Sequence, residues 1–410
     1  MQKPQKNFLL SLVDQSVVSG ANFLTIALGA VFLPIGEQGK LIYVYTTYIA
    51  LVLLNVSVYF SAANIMAAEV GSQARYEGLL LKFQVATALL TSTLTLAVLA
   101  VFHQALAWQV SLIEATFLLL FLSAQQVADF LRRSGYVFGR IGNVTVQSLW
   151  LYGARIATLL YFRPDTLSGF LLLMLLPALP VALAGVGKLL SESRGYVDAW
   201  KDKNKNLLRE HVNLSKWNIL NMPIRWAGLH LPVMLAGALH SVEAAAILGT
   251  IRAITTFVNV LLEMLETFVP AWLSSKYQGG ETTLRRGSMM LLYVGSAVWI
   301  VGALAIGTFG EAIVSLMLGA EYRHYTPILY IMWAANGIYF VGRAIGLHFR
   351  IKKNAFVEFA GLATGAFALP FAIPLIVHHG ALGGAWCLAI VQMASLAGLL
   401  SYGVFFTKKL

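Results

Sequence analysis

Residues 167–190 read LSGFLLLMLLPALPVALAGVGKLL, and residues 191–215 continue as SESRGYVDAWKDKNKNLLREHVNLS. The first segment contains a single charged residue, Lys188, and is long enough to cross the hydrocarbon core of a bilayer, which takes about 20 helical residues. The second segment is polar, rich in lysine, and lies at the middle of a chain of 410 residues. This order is typical of a membrane protein that is built from two halves.

The composition of the whole chain leads to the same class of protein. Hydrophobic residues make up 58% of the sequence and charged residues only 11%, and the mean hydropathy is +0.74. Soluble domains contain about 25% charged residues. The composition therefore excludes a soluble enzyme, a disordered chain and a nucleic-acid-binding domain, and it predicts an all-α integral membrane protein.

The sequence offers few groups for catalysis or cofactor binding. Its one cysteine, Cys387, allows neither an internal disulfide nor a thiolate metal site. It contains no Walker A loop, no cluster of metal ligands at the usual spacing and no G-x-S-x-G elbow. The predicted outer loops are also short. We therefore expect no catalytic residue, no metal and no cofactor, and we do not expect an enzyme.

The same length criterion, applied along the chain, predicts about twelve membrane spans. Their limits are 8–33, 40–65, 79–102, 106–130, 141–162, 167–190, 216–238, 242–271, 288–310, 325–347, 355–377 and 380–406. We expect residues 1–190 to form an N-terminal six-helix bundle and residues 216–410 to form a C-terminal one. Residues 191–215 are the predicted cytoplasmic linker between them.

Lysine and arginine are distributed unevenly between alternate loops. With twelve spans, 22 of the 29 basic residues fall on the side that carries both termini, and three fall on the other side, at Lys40, Arg163 and Arg323. Loops rich in these residues stay on the cytoplasmic side. The distribution predicts a multi-pass protein of the cytoplasmic (inner) membrane with both termini in the cytoplasm, and it accounts for most of the net charge of +11.

The remaining four arginines lie within predicted spans, where a charge is unfavourable by about 2.5–3.5 kcal/mol and usually has a function. At about 1.5 Å per residue, Arg225 and Arg252 lie about 13 and 15 Å inside consecutive spans, near the bilayer midplane. Arg155 lies in the outer half of span five. We predict that these three bind an anionic substrate, and the alternative is a buried pair with a carboxylate. Arg343 lies near the end of its span, where long side chains reach the interface.

Other polar residues within the predicted spans are weaker candidates. Asp14 is the one acidic residue clearly inside span one. It either pairs with an arginine of the other half or binds a coupling proton or Na⁺. Asn22, Asn55 and Asn259 are predicted to line a hydrophilic path for the substrate, although each side chain also suits a hydrogen bond between helices.

Three short motifs resemble one transporter family. They are residues 12–23 (LVDQSVVSGANF), residues 318–329 (LGAEYRHYTPIL) and residues 379–385 (HGALGGA). Together with the twelve spans and the basic central segment, they resemble the polysaccharide transporters of the multidrug/oligosaccharidyl-lipid/polysaccharide exporter (MOP) superfamily, which include O-antigen flippases. The resemblance extends over the whole chain at the level of architecture.

The resemblance implies two six-helix bundles around a central cavity. It also implies a flippase that translocates an oligosaccharide linked to polyprenyl pyrophosphate across the membrane by alternating access. In that family central arginines hold the pyrophosphate. The resemblance implies the same role for Arg225, Arg252 and Arg155, which are chosen by their depth in the predicted spans. The implied partners are an anionic lipid-linked glycan, a coupling H⁺ or Na⁺, membrane lipids and other polysaccharide-assembly proteins. Nucleic acid is not among them.

Three alternatives have different signatures. A cation-coupled multidrug exporter of the same superfamily would favour deep carboxylates, whereas the deep excess here is arginine. A major-facilitator transporter would carry G-x-x-x-D-R-x-G-R after span two, and residues 68–78 (AEVGSQARYEG) do not match it. A membrane enzyme of polysaccharide assembly would need a sizeable outer loop to hold its reactive groups.

Overall fold

A computed structural model of the chain describes residues 3–66, 73–101, 104, 108, 110–193, 202–255, 281–351 and 355–407. Every regular element in these residues is helical, which confirms the predicted all-α class. The α-helices are α1 (Lys3–Phe32), α2 (Ile35–Asn55), α3 (Ser61–Met66), α4 (Gln73–Val101), α5 (Leu112–Val137), α6 (Ile141–Ser148), α7 (Ala154–Phe162), α8 (Leu167–Ser193), α9 (Asp202–Leu239), α10 (242–255), α11 (Glu281–Leu318), α12 (Thr326–Ile351) and α13 (Ala355–Thr407). Two π-helical turns, Val56–Phe60 and Leu149–Gly153, and a 3₁₀ turn, Ala320–Tyr325, lie between them.

Eight helical segments within the described residues are long and apolar enough to cross a membrane. They are Leu9–Phe32, Ile35–Asn64, Tyr76–Val101, Leu112–Val137, Leu167–Lys188, Leu284–Leu318, Tyr322–Phe349 and Phe356–Val404. Their outward faces are apolar, as at Phe371, which is 85% exposed. Lipid solvates such faces and water does not, which supports the predicted integral membrane protein.

Helix α13 covers the last two predicted spans, because the chain reverses inside it. The reversal is at Gly380, whose φ of 55° favours glycine. A Cβ atom there would also lie 2.6 Å from the ring of His240. Predicted span five consists of α6, a π-helical turn and α7, and span seven lies within α9. Span eight begins in α10, and its residues beyond 255 lie outside the described residues.

Predicted span four is displaced along the chain. The prediction was 106–130, whereas α5 runs from Leu112 to Val137. The start is set by a capping box, in which the Ser111 hydroxyl accepts a hydrogen bond from the Glu114 backbone and the Glu114 carboxylate accepts one from the Ser111 backbone. The later end places Arg132 inside the helix, whereas the predicted limits left it in the loop after span four.

The chain divides into two compact units, unit 1 (Met1–Pro223) and unit 2 (Ile224–Leu410). The division falls within α9. The predicted linker, residues 191–215, is helical from Asp202 onward. The predicted bundle limits of 190 and 216 remain sequence-based predictions.

The beginning of α9 packs against the first π-helical turn of unit 1. Nε2 of His211 donates to the backbone oxygen of Val58 at 2.7 Å, and the hydroxyl of Ser215 donates to the same oxygen at 2.9 Å. On the other side of the ring, Nδ1 of His211 accepts from the hydroxyl of Tyr76 at 2.7 Å. A π-turn shifts the backbone hydrogen-bond register, which leaves the Val58 carbonyl available to a neighbouring helix.

In unit 2, α11 and α12 are joined by a pair of stacked indoles. The ring centroids of Trp299 and Trp333 are 4.5 Å apart. Each indole N–H donates to the backbone oxygen of the other tryptophan, at 3.0 and 3.2 Å. Gly302 lies under the ring of Trp333 and Gly337 under the ring of Trp299, where a Cβ atom would collide with either ring. Small residues thus allow the close approach of these helices.

Candidate substrate-binding site

Arg155 is fully buried in unit 1, in the first turn of α7. Its Nη2 donates a hydrogen bond to Oε1 of Gln125. Its guanidinium carbon lies 5.1 Å from the ring centre of Tyr152 and 5.8 Å from that of Phe121, within cation–π range. Within the described residues, its Nε and Nη1 have no hydrogen-bond acceptor. Arg155 is therefore a buried cation held by neutral groups.

The amide of Gln125 relays this contact to a second helix. Its Nε2 donates to the hydroxyl of Tyr48 at 3.4 Å, so α2, α5 and α7 share one buried polar cluster around Arg155. The orientation of the Gln125 amide follows from the hydrogen-bonding capacity of its partner. A guanidinium only donates, so the amide oxygen must face Arg155.

Arg225 and Arg252 lie near one histidine in unit 2. Nη1 of Arg252 is 3.1 Å from Nδ1 of His230, and its Nη2 is 3.5 Å from Nε2. Nη2 of Arg225 donates to the hydroxyl of Tyr339 at 3.5 Å. The charges of both arginines act on His230, and Arg252 also interacts with Tyr339. Arg225, Arg252, His230 and Tyr339 thus form one polar cluster within unit 2.

His230 and Tyr339 are members of this cluster that sequence reasoning missed. His230 is buried in α9, and Tyr339 is half-buried in α12. A single histidine and a single tyrosine within apolar helices carry no spacing signal, since what brings them to the arginines is the packing of α9, α10 and α12. The sequence signal that selected the two arginines was their depth within a predicted span. This signal applies only to charged residues, because they are rare at that depth.

Asp14 forms an ion pair within unit 1. Its Oδ2 lies 2.9 Å from Nη1 of Arg132 and also accepts a hydrogen bond from the hydroxyl of Tyr136. Arg132 lies 3.2 Å from Asp129, which in turn pairs with Arg133 at 2.8 Å. Asp14 thus pairs with an arginine of its own unit, whereas one of its two predicted roles was a pair with an arginine of the other half. The prediction missed Arg132 because it placed this residue beyond the end of span four.

The three predicted asparagines have different surroundings. Asn22 accepts a hydrogen bond from the hydroxyl of Tyr45 at 3.3 Å, which joins α1 to α2. Asn55 is fully buried at the end of α2, and neither amide atom has a hydrogen-bond partner within the described residues. Asn259 lies outside the described residues.

Arg343 pairs with Glu358 in unit 2. The two side chains are 2.6 Å apart and only 10% and 12% exposed. This pair neutralises Arg343, in keeping with its expected structural role at the end of a span. Among the described residues no group of three or more histidine, cysteine or acidic side chains is arranged to hold a metal ion.

The fold is that of known transporters. The chain matches the lipid II flippase MurJ in an inward closed conformation with a TM-score of 0.70 at 12% identity, over 98% of this chain and 87% of that one. It matches an inward-facing multidrug resistance MATE family transporter of the MOP superfamily with a TM-score of 0.67 at 13% identity, over 98% and 95%. A MOP superfamily transporter from Pyrococcus furiosus, described as having a binding pocket of reverse polarity, gives 0.60 at 12% identity over 98% and 96%.

No protein-family model and no curated protein matches the sequence. The structural matches establish the fold, an all-α multi-pass membrane fold that this chain shares with these transporters. The neighbours are transporters and flippases and not enzymes. A shared fold at this level of identity does not extend the substrates of those transporters to this protein.

Proposed function

We propose that this protein is an exporter that translocates an oligosaccharide linked to polyprenyl pyrophosphate across the cytoplasmic membrane by alternating access. One observation carries the proposal. Arg155 and Arg225 lie within predicted membrane spans, and in the described residues their partners are the neutral side chains of Gln125 and Tyr339. Burying a charge is unfavourable unless a counter-charge compensates it. A pyrophosphate would supply that counter-charge.

Arginine suits such a substrate for geometric reasons. Its planar guanidinium binds two phosphate oxygens at once and keeps its charge at any physiological pH. Two nitrogens of Arg155 are free to donate in the described structure, and the contact of Arg225 with Tyr339 is long, at 3.5 Å. We propose Arg225, Arg252 and Arg155 as phosphate-binding residues, with Asn22, Asn55 and Asn259 as polar contacts for the sugar.

Asp14 is the proposed coupling residue. Its Oδ2 is occupied by Arg132 and Tyr136, but its buried Oδ1 has no partner within the described residues. A proton or Na⁺ bound at Oδ1 would weaken the attraction between Asp14 and Arg132. Ion binding would in this way loosen the contact between α1 and α5.

A cation-coupled multidrug exporter is the second candidate, and its fold matches equally well. Its cationic substrate would require an uncompensated deep carboxylate. The four charges of Asp14, Asp129, Arg132 and Arg133 sum to zero in the described structure. The charge balance therefore supports the anionic substrate.

The proposal is tested by reconstitution of the purified protein in vesicles with a fluorescent polyprenyl-pyrophosphate oligosaccharide. We expect Arg225→Gln and Arg155→Gln each to lower the translocation rate at least tenfold, because a charge-assisted hydrogen bond contributes about 1.5–3 kcal/mol. Arg→Lys variants should recover part of the rate, since charge returns without the bidentate geometry. Arg323→Gln is the matched control, because Arg323 is exposed and pairs with Glu311 outside the cluster.

Wild-type translocation by the Arg225→Gln/Arg252→Gln variant, at an unchanged unfolding temperature, would contradict the phosphate role. Efflux of a cationic dye by the wild-type protein, without translocation of the lipid-linked sugar, would support the multidrug exporter instead.

A further inference from the structure

Unit 1 contains a groove whose lining includes none of the three arginines proposed above. The α6–α8 groove, as we name it, has a volume of about 490 Å³ and is walled by α4, α5, α6 and α8. All its lining residues fall between Glu77 and Lys188, so it belongs to unit 1 alone. Its two ends differ in chemistry.

The charged end of the groove is formed by Arg140, Lys188 and the carboxylate of Glu77. The carboxylate of Glu77 pairs with Arg140 and lies 3.4 Å from Nζ of Lys188, and it accepts a hydrogen bond from the hydroxyl of Ser134. Glu77 is 8% exposed, whereas Arg140 and Lys188 are 37% and 36% exposed. The exposed parts of Arg140 and Lys188 can therefore donate hydrogen bonds to a phosphate at this end.

The other end of the groove is apolar except for Gln147, whose amide donates to the backbone oxygen of Ala128 at 2.8 Å. Val146 and Trp150 are exposed on one wall, and Ala184 on the opposite wall. Gly185 of α8 packs against Leu131 of α5, and a Cβ atom at Gly185 would lie 2.5 Å from the Leu131 side chain. The small side chain of Ala184 thus leaves space in the groove, and Gly185 allows α8 to pack closely against α5.

The length of the groove matches one leaflet of a bilayer. From Arg140 to Trp150 the helical chain advances about 15 Å, at 1.5 Å per residue. The hydrocarbon core is about 30 Å thick, so one leaflet is about 15 Å. The charged end lies where the unequal distribution of lysine and arginine predicts the cytoplasmic surface.

We propose that the α6–α8 groove binds one anionic phospholipid of the membrane. The headgroup phosphate accepts hydrogen bonds from Arg140 and Lys188, and an acyl chain lies against Val146, Trp150 and Ala184. The carboxylate of Glu77 holds the two cations in place when no lipid is bound. The inference rests on unit 1 alone and is independent of the substrate proposed above.

Native mass spectrometry of the full chain in detergent tests the headgroup contact. The protein is titrated with phosphatidylglycerol and with phosphatidylcholine of the same acyl chains. We expect one tightly bound phosphatidylglycerol, and we expect Lys188→Gln to weaken it about fivefold, the factor typical of one basic residue near a lipid phosphate. Lys188→Gln leaves the Arg140–Glu77 pair in place and should fold. The matched control, Lys82→Gln, removes a charge from α4 outside the groove and should have no effect.

The acyl-chain contact is tested by filling the groove. Ala184→Trp should reduce bound phosphatidylglycerol, whereas Leu183→Trp, on the neighbouring exposed face of α8, should not. Equal binding of the two lipids, or equal effects of Lys188→Gln and Lys82→Gln, would overturn the proposal. Displacement of the lipid by glycerol phosphate at equal concentration would also overturn it, because the site would then need no acyl chain.

Discussion

The ion pair between Asp14 and Arg132 is the residue-level feature with the clearest energetic consequence. Both side chains are buried, and their cluster with Asp129 and Arg133 is neutral. Asp14→Asn leaves one uncompensated positive charge, and breaking a buried pair is destabilising by about 3–5 kcal/mol. We expect Asp14→Asn to lower the midpoint of thermal unfolding in detergent, as measured by circular dichroism.

A second substitution separates stability from coupling at this pair. Asp14→Asn/Arg132→Gln restores neutrality, so it should recover part of the unfolding midpoint. If Asp14 binds the coupling ion, neither variant transports in response to a proton or Na⁺ gradient, even where stability returns. Gradient-driven transport by the double variant would remove Asp14 from coupling.

The buried His211 predicts a pH dependence of stability. Burial favours the neutral ring in the folded state, in which Nε2 donates to Val58 and Nδ1 is left to accept from Tyr76. Burial lowers the pKa of His211. The unfolded chain therefore takes up a proton near pH 6.5 that the folded chain does not, and stability falls as pH decreases below about 6.5.

Unfolding midpoints between pH 7.5 and pH 5.5 measure this effect. We expect His211→Gln to flatten the wild-type decline, since glutamine does not titrate. His379→Gln, in the hairpin before the last span, is the control and should retain the wild-type slope. The same slope in the wild type and in His211→Gln would contradict the assignment.

At the scale of helices, the indole pair of α11 and α12 depends on two glycines. Gly302→Ala or Gly337→Ala would push Trp333 or Trp299 out of the stack, and overpacking of this kind is destabilising by about 1–3 kcal/mol. Gly307→Ala is a matched control on α11, because a Cβ atom there meets nothing within 4 Å. The measurement is the thermal unfolding midpoint, and equal effects at Gly302 and Gly307 would contradict this packing.

The helices also show what a sequence can and cannot predict. Spans such as 167–190 were predictable because the thickness of the bilayer sets the length of an apolar helix. The start of α5 at Leu112 was missed because a capping box decided it and not hydropathy. The π-helical turns Val56–Phe60 and Leu149–Gly153 were also missed, since they interrupt helices that are uniformly apolar in sequence.

At the same helical scale, the candidate site was predictable only through its charges. Arg225 and Arg252 stand out because arginine within an apolar span is rare. Their neighbours His230 and Tyr339, and the partner Gln125 of Arg155, are selected by contacts between helices distant in sequence. A single sequence contains no trace of those contacts.

At the scale of the whole molecule, the distribution of lysine and arginine predicts the orientation in the membrane. The chain is well suited to test it, because its one cysteine, Cys387, is buried and should give no background labelling. In right-side-out vesicles, a membrane-impermeant maleimide should label Arg323→Cys, since the outer side is predicted to carry few basic residues. Arg286→Cys, exposed at the beginning of α11, should be labelled only after permeabilisation. The reverse pattern would place both termini outside. It would also move the charged end of the α6–α8 groove to the outer leaflet, so the orientation decides which leaflet supplies its lipid.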